Sequence, residues 1–205
     1  MQRRLLLFLS TVFFAFSLSA CGELDLAVPS APSDEDPSPE SPEPAEPEPT
    51  PKTPTPSQPV IPDASLEPEL REVLRLVNEA RSRGATCGGE RFASVSPLKI
   101  EARLTVAAQN HSEDMAAAQT MSHDTPRGAL HYPAGSSPWE RVKTEGYSMS
   151  AGAENVAWGY RDAAAVMTGW LKSPGHCRNI MKADVTELGL GLEDTYWTQV
   201  FASPR

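Results

Sequence analysis

The uneven distribution of proline constrains this chain of 205 residues more than any other feature. Thirteen of its 20 prolines fall between Pro29 and Pro62, together with seven acidic residues, one lysine and no aromatic residue. Such a segment buries too little apolar surface to offset the loss of chain entropy, so we expect it not to fold. A folded domain is therefore expected within residues 63–205, which suffice for a single core.

The proline-rich stretch at residues 27–62 has the composition of an extended spacer. Proline favours polyproline II geometry, in which a chain advances about 3.1 Å per residue, so its 36 residues can reach on the order of 110 Å. We predict a tether that holds a domain away from a membrane surface. An acidic arm that recruits a basic partner is the alternative function.

The first 20 residues have the pattern of an export signal. Arg3 and Arg4 precede an apolar run at residues 5–18, which is too short to span a bilayer comfortably. The sequence LSAC that ends at Cys21 resembles the bacterial lipobox, in which the cysteine is acylated and becomes the mature N-terminus. This resemblance implies lipid anchoring to a membrane at Cys21. A secreted protein in which Cys21 is incidental is the alternative.

The formal charge of −9 comes mostly from the tether. Seven acids and one lysine give residues 27–62 a charge of −6, whereas 18 acids and 15 bases give residues 63–205 a charge of −3. No cluster of lysine and arginine is present that would form a basic patch, so we expect no nucleic-acid partner.

Hydrophobic periodicity within residues 63–205 predicts an α+β fold. Helices are predicted at residues 67–83 and 101–119, after Pro138, after Asp162 and from Pro174 to Ile180. Strands are predicted in GAENVAWGY, TELGLGLED and TYWTQVFA, which form a small and mainly antiparallel sheet between the helices. Leucine alternates with glycine in TELGLGLED, which indicates an apolar face opposite a closely approaching backbone.

Two cysteines remain if Cys21 is acylated. In an exported domain such a pair favours a disulfide, here between Cys87 and Cys177. A thiolate metal ligand or nucleophile is the alternative, although nothing near Cys87 in the sequence would activate it.

Several segments, in order, resemble the bacterial branch of the CAP superfamily, the SCP-like domains of cysteine-rich secretory proteins, antigen 5 and pathogenesis-related proteins. The matching segments are LVNEARSRG, LTVAAQNHSEDMA, SHD, AENVAWG, WLKSPGHCRNIM, ELGLG and YWTQVF. The resemblance implies an α-β-α sandwich with a cleft on one side. Members of this family have been linked to metal binding, sterol or lipid binding and proteolysis, so the resemblance leaves the activity open.

The resemblance also implies which residues line the cleft. His123 matches the first histidine of the family and Glu154 matches the glutamate of its GEN motif, while His176 is the histidine of the bacterial SPGH motif. The sequence departs from the family pattern at two cleft positions, where Tyr196 replaces the second histidine and Ser173 replaces the second acid.

Two imidazoles and one carboxylate at His123, His176 and Glu154 form a set that can hold a divalent metal such as zinc and leave a position open for water. The same groups can act in general acid–base chemistry. A purely structural role for these residues is the alternative. Glu154 can accept hydrogen bonds from backbone amides, and His176 can lie at a helix terminus, where its pKa would fall.

Further cleft candidates follow from position. His111 falls on the apolar face of the second predicted helix and is a candidate to support the cleft, whereas His131 is expected in a solvated loop. Asn155 resembles the asparagine of the GEN motif, and we expect its amide to tie loops together. No serine lies in a GxSxG context, so the sequence does not support a serine hydrolase.

The sequence predicts a monomeric, lipid-anchored protein of the bacterial cell envelope that displays one domain on a tether. Gly22 after Cys21 is compatible with outer-membrane sorting in a cell with two membranes. The leading hypothesis is a module that binds a lipid, glycan or peptide in its cleft. The alternatives are a metal-assisted hydrolase of envelope or host material and a structural or adhesive surface protein.

Overall fold

The computed structural model describes residues 65–205. The predicted signal at residues 1–20, acylation of Cys21 and the tether to residue 62 lie outside these described residues. In the part of the chain that is described, no helix combines the length and apolar character needed to cross a membrane.

Residues 65–205 contain five helices and six strands, and the predicted helices agree with the observed ones to within one or two residues. In chain order these elements are α1 Pro68–Arg83, β1 Ala85–Cys87, β2 Glu90–Phe92, β3 Lys99–Ile100, α2 Ala102–Ala118, α3 Pro138–Thr144, β4 Met149–Trp158, α4 Ala163–Lys172, α5 Pro174–Ile180, β5 Glu187–Glu193 and β6 Tyr196–Pro204. The sequence did not predict β1, β2 and β3, because strands of two or three residues are too short to show alternation.

Four strands form the central sheet in the order β3-β5-β6-β4. Strand β6 pairs antiparallel with both β4 and β5, whereas the short β3 runs parallel to β5. The sheet is therefore mainly antiparallel, and the α+β class with helices on both faces is confirmed. Strand β4 lies at one edge of this sheet, so its outer side is available to side chains from other elements.

Helix α2 packs directly on strand β5. A Cβ atom added at Gly189 would collide with the backbone of Leu104, and one added at Gly191 would collide with the backbone of Ala108. These contacts confirm the close backbone neighbour predicted from the Leu-Gly alternation. Helix α3 covers the same face of the sheet through Val142, which is fully buried.

Helices α1, α4 and α5 cover the opposite face of the sheet. The apolar core on this side includes Trp170 and Trp197. The predicted disulfide between Cys87 and Cys177 is present, with both residues buried and their Cα atoms 5.4 Å apart. This bond ties the β1–β2 hairpin to α5, the short helix that carries His176.

Candidate functional site

Glu154 is a buried carboxylate on the edge strand β4. Its side chain is 2% exposed, and Oε2 accepts a hydrogen bond from Arg141 Nη2 at 2.7 Å. Oε1 accepts a second bond from His123 Nδ1 at 2.9 Å. Because burial of a charge is costly unless it is paired and hydrogen-bonded, these two partners keep Glu154 in place. We call His123, Arg141, Glu154 and His176 the β4 site.

Arg141 is a component of the β4 site that sequence reasoning missed. It lies in α3, which begins with a capping box formed by Ser137 and Glu140. Its side chain is 1% exposed, and Nη1 donates to the carbonyl oxygen of His123 at 2.9 Å. Arg141 thus neutralises Glu154 and also fixes the backbone that carries His123. In the sequence it resembles any arginine of a solvated helix, and a helix of seven residues is too short for periodicity to reveal its buried face.

His123 presents one ring nitrogen away from the carboxylate. A carboxylate only accepts hydrogen bonds, so Nδ1 carries the proton shared with Glu154 and Nε2 points to the other side of the ring. The side chain is 55% exposed, and within residues 65–205 Nε2 has no hydrogen-bond partner. The hydrogen bond to Glu154 raises the pKa of His123, against an opposing effect of partial burial.

His176 lies in α5, and its backbone carbonyl is bonded to Asn155 of β4. Burial lowers the pKa of its ring, and the positive charge of His123 lowers that pKa further. The second effect means that the two imidazoles lie within electrostatic range of each other. The pKa thus shifts in the direction expected for a helix terminus, although the main cause is burial.

A network of amides fastens α5 to β4. Asn155 Nδ2 donates to the carbonyl of His176 at 3.2 Å and to Gln199 Oε1 at 3.0 Å. Asn179 Nδ2 donates to Asn155 Oδ1 at 2.9 Å and to the carbonyl of Glu154 at 3.1 Å. The amide of Asn155 therefore ties separate elements together, and the network holds the backbones of His176 and Glu154 in a fixed relation. Asn179 and Gln199 were not predicted.

His111 lies beneath the loop that carries His123. It is fully buried, and Nε2 donates to the carbonyl of Ser122 at 2.9 Å. Burial lowers the pKa of its ring, and Nδ1 has no hydrogen-bond partner among the described residues. The inward orientation is confirmed, and the contact to Ser122 is one residue away from His123.

His131 is more constrained than the predicted solvated loop residue. Its Nε2 lies 2.6 Å from Glu113 Oε2, and its side chain is 33% exposed. The fully buried Asp114 accepts hydrogen bonds from the backbone amides of Leu130 and His131, at 2.6 and 2.7 Å. The loop is therefore anchored to α2 through Asp114, which sequence reasoning did not single out.

The predicted trio is brought together in part. His123 contacts Glu154 directly and His176 lies within electrostatic range, but both oxygens of Glu154 are already bonded, one to His123 and one to Arg141. In the described part of the chain, no group of three histidine, cysteine, aspartate or glutamate side chains is arranged to hold a metal ion. A carboxylate that bonds the second nitrogen of a histidine is a common partner of metal-binding imidazoles.

Comparison with known proteins identifies the family. The model of the cysteine-rich secretory protein family, CAP, matches residues 74–201. The chain belongs to the CAP family. Residues of this CAP chain are 28% identical over 133 positions to YkwD of Bacillus subtilis, covering 64% of the chain and 46% of YkwD. They are 34% identical over 92 positions to the membrane protein YlbC of the same species, covering 44% of the chain and 24% of YlbC. The chain thus spans less than half the length of these relatives.

Solved structures share the fold of the CAP chain. An extracellular protein of Bacillus anthracis with an SCP domain is 28% identical, with a TM-score of 0.55 over 71% of this chain and 45% of that one. An outer surface protein of Borrelia burgdorferi is 18% identical, with a TM-score of 0.55 over 67% of this chain and 93% of that one. The second likeness is evidence for the fold alone.

Proposed function

We propose that this CAP protein is a binding module in which His123 and His176 contact the ligand at the β4 site. The observation that carries the proposal is the bond between His123 Nδ1 and the buried Glu154, which leaves Nε2 on the solvent side. An imidazole oriented in this way has a fixed acceptor for a ligand or a cation.

The proposal includes a divalent cation such as zinc. Neutral imidazoles suit zinc, and burial lowers the pKa of His176, which favours the uncharged ring. Glu154 enters the proposal as the carboxylate that orients His123, because both of its oxygens already have partners. The cation would supply Lewis acidity to a bound ligand. Water or the ligand itself would complete its coordination.

Calorimetric titration of the full chain with Zn²⁺ tests this proposal. We expect a one-site isotherm that disappears in His123→Ala and is weakened in His176→Ala. His131→Ala is the matched control, because His131 is also a carboxylate-bonded histidine but lies outside the β4 site. An isotherm that is the same in the wild type and in His123→Ala contradicts the metal proposal.

We further propose that the domain acts outside the cytoplasm on a lipid anchor at Cys21. The lipobox-like LSAC sequence supports the anchor, and the likeness to an extracellular protein of Bacillus anthracis supports the location. Labelling of cells with a palmitate analogue should mark the wild-type chain and fail in Cys21→Ser. Equal labelling of both chains, or of neither, contradicts the anchor.

Metal-assisted hydrolysis is the second candidate function. It is favoured by Nε2 of His123, which faces solvent. A cation held there and at His176 would lower the pKa of a bound water and make it a nucleophile. Hydrolysis of peptide or ester substrates should then be lost in Glu154→Gln. Turnover that survives this substitution assigns the activity to a contaminant.

A further inference from the structure

Two tryptophans are exposed on the face of β4 that carries Glu154. Trp139 in α3 is 42% exposed and Trp158 at the end of β4 is 59% exposed. Side chains alternate along a strand, so Gly152, Glu154 and Trp158 share one face. The only break in this register lies before Gly152, between Met149 and Ala151.

Both indole rings are held in place by packing. Cζ3 of Trp139 lies only 3.0 Å from the position that a Cβ atom of Gly152 would occupy. The ring therefore rests on the strand at a point where a side chain would displace it. Trp158 stacks on Tyr196, with ring centroids 5.9 Å apart and planes inclined by 26°. An exposed aromatic ring that is already immobilised loses little conformational entropy when a ligand covers it.

The two rings lie on opposite sides of Glu154 along the strand. Residue 152 precedes Glu154 by two positions and Trp158 follows it by four. At about 3.3 Å per residue, the six positions from 152 to 158 span roughly 20 Å. Trp139 is also linked to the site through Arg141 of the same helix, which bonds Glu154. Val156, which lies on this face between Glu154 and Trp158, is only 4% exposed. A ligand that covers both rings would therefore run over the side chains that cover the strand, among them the exposed His123.

The buried ion pair of the β4 site does not by itself select for a charged ligand. The carboxylate of Glu154 is neutralised by Arg141 at 2.7 Å. An acyl chain would need a continuous apolar groove, whereas the exposed and polar His123 is bonded to Glu154, whose position along the strand lies between residues 152 and 158. Apolar ring faces that stack on indole and hydroxyl edges that bond imidazole occur together in a sugar.

We propose that Trp139 and Trp158 are stacking platforms for an uncharged oligosaccharide that crosses the β4 site. This inference rests on the proposed function in that it names the ligand class for the same site. A length of roughly 20 Å corresponds to about four pyranose rings.

Titration of the full chain with the tetramer of N-acetylglucosamine, followed by calorimetry and indole fluorescence, tests the proposal. We expect Trp139→Ala to weaken tetramer binding by about ten-fold or more, and Trp139→Phe to retain most of it. Trp158→Ala should weaken binding of the tetramer but not of the dimer, which is too short to reach both rings. Leu130→Ala, a change at a side chain that is 70% exposed, is the control and should alter neither affinity.

Zn²⁺ titration of the same variants separates this inference from the proposed function. A chain that binds Zn²⁺ but not the tetramer overturns the saccharide proposal and leaves the metal proposal standing. Tetramer binding that is unchanged in both tryptophan variants overturns it as well. Tighter binding of a peptide of residues 27–62 than of the tetramer would assign the two rings to proline-rich chains. Tetramer binding without Zn²⁺ binding supports the platforms and removes the cation.

Discussion

The two faces of the central sheet bury different chemistry. Helices α1, α4 and α5 cover one face mainly with aliphatic and aromatic side chains and carry the disulfide. The side covered by α2 and α3 buries a larger set of polar groups, namely His111, Ser112, Asp114, Arg141, Glu154 and Thr198, whereas Arg81, Asn155 and Gln199 are buried on the first face. Burial of polar groups costs free energy unless each is bonded. We infer that the first face supplies most of the stability and that the second uses part of it to hold His123, Arg141 and Glu154.

Two fully buried arginines illustrate the difference between these faces. Arg81 of α1 donates to the carbonyl oxygens of Ser96 and Ile180 at 2.7 Å, and to that of Lys182 at 2.9 Å. Its burial lowers its pKa. Arg141 donates to carbonyls as well, but its second amino group bonds Glu154. Carbonyl oxygens alone thus suffice to join three segments of backbone, and a carboxylate partner is added where a histidine must also be oriented.

The largest predicted effect is on the polar face. Arg141→Met leaves the buried carboxylate of Glu154 without its cation, so the free energy of unfolding should fall by about 3–5 kcal/mol. Urea unfolding measures this change. The double variant Arg141→Met/Glu154→Gln should recover a large part of the loss, because the unpaired charge is then gone.

Arg81→Met is the matched control for this recovery. Its partners are carbonyl oxygens, so addition of Glu154→Gln should not restore its stability. If Arg141→Met and Arg141→Met/Glu154→Gln are equally unstable, Arg141 stabilises the fold by packing alone. That result would contradict the proposed difference between Arg141 and Arg81.

The second largest effect is expected on the apolar face. Replacement of Cys87 and Cys177 by alanine together opens a link between residues 90 positions apart, and it should lower the free energy of unfolding by about 2–5 kcal/mol. Because the disulfide anchors α5, Zn²⁺ affinity should fall as well. Denaturant titration and calorimetry measure the two changes. A variant as stable as the wild type would show that the other contacts of α5 are sufficient.

Close packing between α2 and β5 predicts a smaller effect. In Gly191→Ala the new methyl group would collide with the backbone of Ala108, so we expect a loss of about 1–3 kcal/mol. Gly175→Ala in α5 is the control, because no atom lies within 4 Å of its added Cβ. The midpoint temperature of thermal unfolding should be lower for Gly191→Ala than for the wild type and for Gly175→Ala. Equal midpoint temperatures would contradict the close approach of α2 to Gly191.

The smallest predicted effect is a pH dependence from His111. Burial lowers the pKa of this ring in the folded state, so the unfolded chain binds the proton at higher pH. The stability that neutral His111 contributes is therefore complete above about pH 6.5 and is lost as the pH falls toward the folded pKa. The free energy of unfolding, measured at several pH values, should depend less on pH in His111→Gln than in the wild type. The same pH dependence in both chains would show that His111 has an ordinary pKa in the folded state.

Elements with a long periodic pattern were predictable from the sequence, and elements defined by tertiary contacts were not. Helices α1 and α2 repeat their apolar positions over 16 and 17 residues, and the alternating glycines of β5 indicated the packing of α2. Strand β3 has two residues and exists because β5 pairs with it.

The candidate site was predictable only where a motif marked it. His123, Glu154 and His176 were found by resemblance to a family, whereas Arg141, Asn179 and Gln199 belong to the same networks without a signal in the sequence. An arginine is normally expected in solvent, and burial of Arg141 depends on a carboxylate 13 positions away. Spacing along the chain cannot show that contact.

Nitrogen-15 NMR of the His123 ring tests the central claim most directly. If buried Glu154 orients this ring, the neutral imidazole should carry its proton on Nδ1 and its pKa should lie above the ordinary value of about 6.5. Addition of Zn²⁺ should then shift the Nε2 resonance, and Glu154→Gln should lower the pKa. A neutral ring protonated on Nε2, with a pKa that Glu154→Gln does not change, would contradict the account.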